Sequence, residues 1–205
     1  MNKALVRAAL VASTLAAVLL PTSPARAATL AITDSTDDVW RSGFDFATGE
    51  ETGPEPAGSP ANADLARTVV KHTTDKVVLR AHYADLRKRS PRFAFAVQLR
   101  TNEGLRREIG AETFTREGWG GTAYFGSPKR ELRCQGMTHV IDYAADTVTV
   151  AVPRACLSMP RWVQVRVMAG AFDESTPDQF VAYQDNGHDE SADEPTAWSG
   201  RVRRG

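Results

Sequence analysis

Apolar and polar residues alternate at every second position through much of this chain, and this alternation limits its fold more than any other feature. The clearest run is RFAFAVQLR at 92–100, where Phe93, Phe95, Val97 and Leu99 alternate with small or polar residues. Successive side chains of a β-strand point to opposite faces, so the run predicts a strand with one buried face. No helical period of useful length accompanies it, apart from one turn predicted at PRACL.

The same pattern recurs in many short segments separated by turn residues. Strands are predicted near 65–72, 77–84, 93–100, 106–114, 122–125, 131–134, 137–143, 147–152, 162–168 and 180–183. Alternation, rather than continuous apolar runs, argues against a parallel sheet. We therefore predict an all-β fold, an antiparallel β-sandwich or barrel of about eight or more strands.

The N-terminus has the layout of a secretory signal peptide. Lys3 and Arg7 precede an apolar stretch at 8–20, and Ala-Arg-Ala at 25–27 supplies a cleavage site. A permanent membrane anchor is the alternative, but the stretch is too short to cross a bilayer of about 30 Å as a helix. We predict cleavage after Ala27 and a secreted, extracytoplasmic protein.

The remaining chain has the length of one domain. That domain covers 28–200, with a mobile Gly- and Pro-rich loop at 45–64, and a basic, solvated tail follows at 201–205. The whole chain has 25 Lys and Arg against 25 Asp and Glu, and cleavage removes only cations. A slightly acidic protein is unsuited to nucleic acid, whose binding depends on Lys and Arg. We expect no nucleic acid partner, no membrane contact after cleavage, and a monomer.

Cys134 and Cys156 are the only cysteines. Their spacing is not Cys-x-x-Cys, and two cysteines alone cannot complete a four-ligand zinc site. Because exported thiols oxidise, we predict a disulfide, which stabilises a loop of this size by about 3 kcal/mol. Alternation on both sides of Ala145 predicts a hairpin centred there, in which Tyr143 faces Thr147 and Cys134 faces Cys156.

Three aspartates crowd one turn near the start of the mature chain: Asp34, Asp37 and Asp38. Clustered carboxylates suit calcium, which takes six to eight oxygen ligands, although the spacing is not that of an EF-hand. The alternative is a turn whose Asp side chains cap their own backbone. No motif in the sequence requires a cofactor. A structural calcium ion in this turn is the only bound ion that we expect. The acidic residues Asp185, Asp189, Glu190, Asp193 and Glu194 are interpreted as a solvated tail.

A second candidate site is the glycine-rich segment TREGWGGTAYFGSP at 115–128. Trp119 or Tyr124 could stack on a sugar ring if exposed there. The alternative is that Trp119 folds back over the edge of the sandwich, since Trp is usually mostly buried.

The segments ITDSTDD, ANADLARTVVKHTTDKVVLRAHYADL and RFAFAVQLRTN, between Ile32 and Asn102, resemble a group of exported jelly-roll modules. Family nine carbohydrate-binding modules and DOMON-like domains are similar in this layout. The resemblance implies a jelly-roll fold and, in some relatives, a structural calcium, which transfers to Asp34, Asp37 and Asp38. Sugar-binding aromatics of these modules do not align with positions here.

Motifs of catalysis are missing from the sequence: there is no Gly-x-Ser-x-Gly, His-Glu-x-x-His, Walker loop or Gly-x-Gly-x-x-Gly. We therefore expect a non-enzymatic binding or accessory module for an extracellular glycan or protein. Two alternatives stay open: an extracellular hydrolase acting on a polymer, and a secreted protein-interaction or inhibitor domain.

Overall fold

The computed structural model of the protein describes residues 28–114, 118–173, 176–188 and 197–205. The described chain is all-β, as the alternation predicted, and its only helical segments are 3₁₀ turns at Gly118–Gly120 and Arg154–Leu157. The second turn is the one predicted at PRACL. Within the described ranges, no helix is long and apolar enough to cross a membrane. The predicted signal peptide at 1–27 and the acidic residues from 189 to 194 lie outside the described residues.

Fourteen strands are found in the described ranges, numbered here in chain order. They are β1 (Ala28–Thr33), β2 (Val39–Asp45), β3 (Glu51–Gly58), β4 (Leu65–His72), β5 (Lys76–Tyr83), β6 (Arg92–Thr101), β7 (Arg106–Glu112), β8 (Thr122–Ser127), β9 (Arg130–Glu131), β10 (Thr138–Asp142), β11 (Thr147–Pro153), β12 (Trp162–Asp173), β13 (Gln179–Asn186) and β14 (Val202–Arg203).

The strands form two antiparallel sheets. The five-stranded sheet has the order β1-β4-β5-β11-β10. The nine-stranded sheet has the order β3-β2-β13-β12-β6-β7-β8-β9, and β14 adds to one end of β12. The chain passes between the sheets several times, so segments distant in sequence become neighbours where the sheets meet.

One hydrophobic core lies between the sheets. Strands β6 and β12, the two longest, pair along ten residues and alternate strictly between buried and half-buried positions. Phe93, Phe95 and Leu99 are fully buried on β6, and they belong to the same apolar cluster as Leu79 and Val150 of the five-stranded sheet. The two-residue alternation therefore places one face of each sheet in the core, as predicted from the sequence.

The predicted disulfide between Cys134 and Cys156 is present, with their Cα atoms 5.6 Å apart. The predicted hairpin register is wrong by one residue: Asp142, not Tyr143, pairs with Thr147. The turn has four residues, and Asp146 within it takes a positive φ of 51°. Cys134 precedes β10 and Cys156 follows β11, so the disulfide closes the open end of the hairpin outside the paired residues.

The segment 45–64, predicted to be a mobile loop, contains a β-strand instead of a continuous loop. Its residues Glu51–Gly58 form β3, the edge strand that pairs with β2. Asn62 is fully buried, and its Nδ2 donates to the carbonyls of Arg89 (2.9 Å) and Pro91 (2.8 Å). Because both faces of most of β3 are exposed, the strand carries no hydrophobic alternation that the sequence could reveal.

The C-terminal tail, predicted to be solvated, is also fixed to the sandwich. Val202 is buried, and its carbonyl accepts a hydrogen bond from Nδ1 of buried His72 at 3.0 Å. Trp198 packs its indole ring against the guanidinium groups of Arg100 and Arg166, at 4.3 and 4.5 Å from the ring centre. Trp198 lies just before the tail. Within the tail Val202 is buried, whereas Arg201, Arg203 and Arg204 are exposed, so the tail is attached through one residue and its basic side chains face solvent.

Candidate metal centre

Three carboxylates from distant parts of the chain converge at one end of the sandwich. Asp34 directly follows β1, Asp38 directly precedes β2, and Asp185 lies near the end of β13. One oxygen of each lies within 4.8 Å of one oxygen of each of the others. The connection from β1 to β2, which passes from the five-stranded to the nine-stranded sheet, therefore places Asp34 and Asp38 next to Asp185 of β13, some 150 residues away in the sequence.

Asp64 is a fourth acidic residue at this place. It lies just before β4, is only 1% exposed, and accepts a hydrogen bond on Oδ2 from the backbone N–H of Asp37 at 3.1 Å. Its charge is among those that act on Asp185. We refer to Asp34, Asp38, Asp64 and Asp185 as the acidic cluster.

Asp185 is the most deeply held member of the acidic cluster. It is 1% exposed, and its Oδ2 accepts a hydrogen bond from the backbone N–H of Leu65 at 2.5 Å. Burial raises the pKa of Asp185 to about 8, and the negative charges of the other three members add to that rise. A cation in the cluster would reverse this effect, since it favours the charged form of every carboxylate around it.

Two oxygens of the acidic cluster stand out by their lack of a partner. Within the described part of the chain, Oδ1 of Asp64 and Oδ1 of Asp185 are both buried and neither has a hydrogen-bond partner. Buried polar atoms are nearly always satisfied, and an unsatisfied carboxylate oxygen is especially costly. Two such atoms in one acidic cluster make the cluster a candidate metal-binding site.

The sequence predicted part of this site. The structure brings Asp34 and Asp38 together, but Asp37 is exposed, takes a positive φ of 70°, and contributes only its backbone N–H. Sequence reasoning missed Asp64 and Asp185, and it assigned Asp185 to a solvated acidic tail. One feature of the sequence could have indicated them. Asp64 and Asp185 each lie within two residues of the end of a strand, and strand ends are where side chains from the two sheets meet.

The two aromatic residues proposed to stack on a sugar do not share a site. Trp119 packs edge-on against Tyr143 and lies under the guanidinium of Arg92, 4.3 Å from its ring centre. Tyr124 lies across Gly110, where its hydroxyl would collide with a Cβ atom. Both rings are half-buried, so contacts within the protein cover part of the surface of each ring.

Comparisons with protein-family models, with curated proteins and with solved structures found no match for this chain.

Proposed function

We propose that this protein is a secreted, non-enzymatic β-sandwich module of the binding or accessory type, whose fold is stabilised by a calcium ion held in the acidic cluster. The observation that carries the proposal is the pair of buried, unsatisfied oxygens on Asp64 and Asp185. They adjoin the carboxylates of Asp34 and Asp38. A divalent cation supplies the missing partner for these atoms and offsets the repulsion between the charges.

The ligand chemistry favours calcium over other metals. Calcium binds oxygen ligands at about 2.3–2.6 Å, so two oxygens on opposite sides of the ion lie roughly 4.6–5.2 Å apart. The oxygens of Asp34, Asp38 and Asp185 all lie within 4.8 Å of one another, close enough to share one such ion. The proposed ligand set contains no imidazole or thiolate, which zinc prefers, and magnesium usually keeps several waters rather than an all-protein cage.

A metal-binding role fits the cluster better than hydrolysis does. Glycoside hydrolysis needs two carboxylates that reach the scissile bond of the substrate. Asp64 and Asp185 are each 1% exposed, and Asp185 already binds the backbone of Leu65. A polymer cannot approach carboxylates in this position, whereas a small ion can be enclosed by them during folding.

The extracytoplasmic placement is supported by the N-terminal sequence and by the disulfide. Disulfides persist in oxidising compartments, and free cysteines are absent from the described residues. Calcium sites of modest affinity suit the same environment, where the ion is abundant.

Thermal unfolding with and without calcium tests the proposal, with Asp185→Asn as the site variant. Asn at 185 can still accept the Leu65 hydrogen bond but loses the charge. Asp37→Asn is the matched control, because it removes one aspartate from the same turn and Asn tolerates a positive φ. With a dissociation constant of about 0.1–1 mM, 10 mM calcium should raise the Tm of the wild type by about 3–10 °C.

The expected pattern has two parts. In chelator, Asp185→Asn should melt at or above the wild-type temperature, because Asn avoids the cost of burying a carboxyl group whose pKa is raised in the folded state. In calcium, the same variant should gain little, while Asp37→Asn should gain as much as the wild type. A calcium shift that is absent from the wild type, or equally present in Asp185→Asn, would refute the proposal.

A further inference from the structure

The outer face of the five-stranded sheet carries a cluster of basic residues on its two neighbouring strands β4 and β5. We call it the basic face, and it consists of Arg67, Lys71, Lys76, Arg80 and His82. The strand register places these residues on one side: Arg67 pairs with His82, and Val69 pairs with Arg80. The four Lys and Arg side chains are exposed, and the buried residues of the same strands point the opposite way, into the core.

No ion pair balances the positive charge of the basic face within the part of the chain that the structure describes. Among the described residues, the ion pairs join Arg41 to Glu55 and Arg87 to Asp85, and none involves the basic face. The strands of this sheet carry one carboxylate, Asp142, and its Oδ1 accepts hydrogen bonds from the backbone of the following turn. The nearby turn residue Asp75 acts on Arg154.

Between the cations the surface is apolar and slightly hollow. Val69 and Val78 are half-buried and form the floor of a depression of about 440 Å³, with Lys71, Lys76, Arg80 and His82 around it. Lys76 and Arg80 are four residues apart on one strand, which separates them by about 13 Å. An occupant therefore meets separated positive groups with small aliphatic side chains between them.

We infer that the basic face binds an anionic polysaccharide. The sulfate or carboxylate groups would pair with Lys71, Lys76 and Arg80, and the C–H faces of the sugar rings would pack on Val69 and Val78. This inference rests on the binding role proposed above and names its ligand class, but it does not depend on the calcium ion.

Two other polyanions fit the basic face less well. Proteins that bind single-stranded nucleic acid stack bases on aromatic rings, and the residues of the basic face include none apart from the half-buried imidazole of His82. Anionic membranes attract cations too, but stable binding also needs large apolar side chains that enter the bilayer. Val69 and Val78 are short and lie below the tips of the cations.

The experiment measures binding of the intact protein to three polymers with the same backbone: dextran sulfate, carboxymethyl dextran and uncharged dextran. Titrations are run at low salt, in calcium and in chelator, well below the melting temperature. The face variant is Lys71→Gln, Lys76→Gln and Arg80→Gln. The charge-matched control is Lys129→Gln, Arg130→Gln and Arg133→Gln, three exposed cations near the β8–β9 hairpin. Duplex DNA and phosphatidylserine vesicles are the competing probes.

We expect a charged dextran to bind, the uncharged dextran not to bind, and the face variant to bind about tenfold more weakly. Comparing the affinities of dextran sulfate and carboxymethyl dextran then shows whether the basic face prefers sulfate or carboxylate groups. The control variant should lose no more than about twofold. Failure of both charged dextrans to bind, equal losses in the two variants, or tighter binding to DNA or vesicles would each overturn the inference. Binding that persists in chelator separates this result from the calcium proposal.

Discussion

The backbone N–H of Leu65 donates a hydrogen bond to Oδ2 of Asp185 at 2.5 Å, joining residues that are 120 positions apart. Leu65 begins β4 in the five-stranded sheet, and Asp185 is the residue before the last of β13 in the nine-stranded sheet. The bond fixes a carboxylate at the place where the sheets meet. An ion bound there would therefore add a link among four segments that already meet through strand pairing, β1 with β4 and β2 with β13.

Stability should depend on pH through His72, which is fully buried. Its Nδ1 donates to the Val202 carbonyl, and its Nε2 has no partner among the described residues. Burial lowers the pKa of His72, with smaller contributions from the cations Arg154 and Arg204. The folded state then binds fewer protons than the unfolded state, so the stability it contributes is present above about pH 6.5 and is lost as pH falls toward the folded pKa.

The measurement for His72 is the free energy of unfolding of the wild type and of His72→Asn between pH 7.5 and 5. The variant should be less stable at neutral pH, since it leaves a cavity. The difference should shrink on acidification, by up to about 1.4 kcal/mol per pH unit. A difference that stays constant would show that His72 does not titrate in this way.

Arg154 should be required for stability although it forms no ion pair among the described residues. It is 3% exposed, and its guanidinium donates to the carbonyls of Thr74 (2.6 Å), Met159 (3.1 Å) and Pro160 (2.8 Å). Arg154→Met keeps most of the side-chain volume and leaves three carbonyls unsatisfied. We expect a loss of about 2–4 kcal/mol in denaturant unfolding, whereas Arg133→Met, at an exposed position, should change stability by less than about 0.5 kcal/mol.

Gly110 should not tolerate a side chain. A Cβ atom there would overlap the carbonyl oxygen of Phe95 and the hydroxyl of Tyr124, and the first of these is backbone that cannot move aside. Gly110→Ala should therefore destabilise by about 1–3 kcal/mol. Gly120→Ala is the control, since a Cβ at that position meets nothing within 4 Å. Equal stabilities of the two variants would contradict the packing of Tyr124 over β7.

How much of this fold the sequence predicts depends on burial. Strand β6 has one face in the core, so its residue alternation identified it directly. Strand β3 is exposed on both sides for most of its length, and no alternation marks it. The hairpin register was wrong by one residue because the turn before Thr147 is one residue longer than the sequence indicated.

The candidate site shows a similar division. Asp34 and Asp38 are close in sequence, and a local acidic turn was enough to predict them. Asp64 and Asp185 join them only through the order of the strands in the two sheets, which sequence periodicity does not encode. A pairwise contact such as Leu65 with Asp185 is the kind of information that a single sequence lacks.

Calorimetric titration of the chelator-stripped protein with calcium tests the central claim most directly. Full titration to about 10 mM covers the affinities typical of extracellular sites. One ion per chain should bind to the wild type and to Asp37→Asn, and binding should be lost in Asp185→Asn. Absence of saturable binding to the wild type, or unchanged binding to Asp185→Asn, would show that the buried aspartates do not enclose calcium.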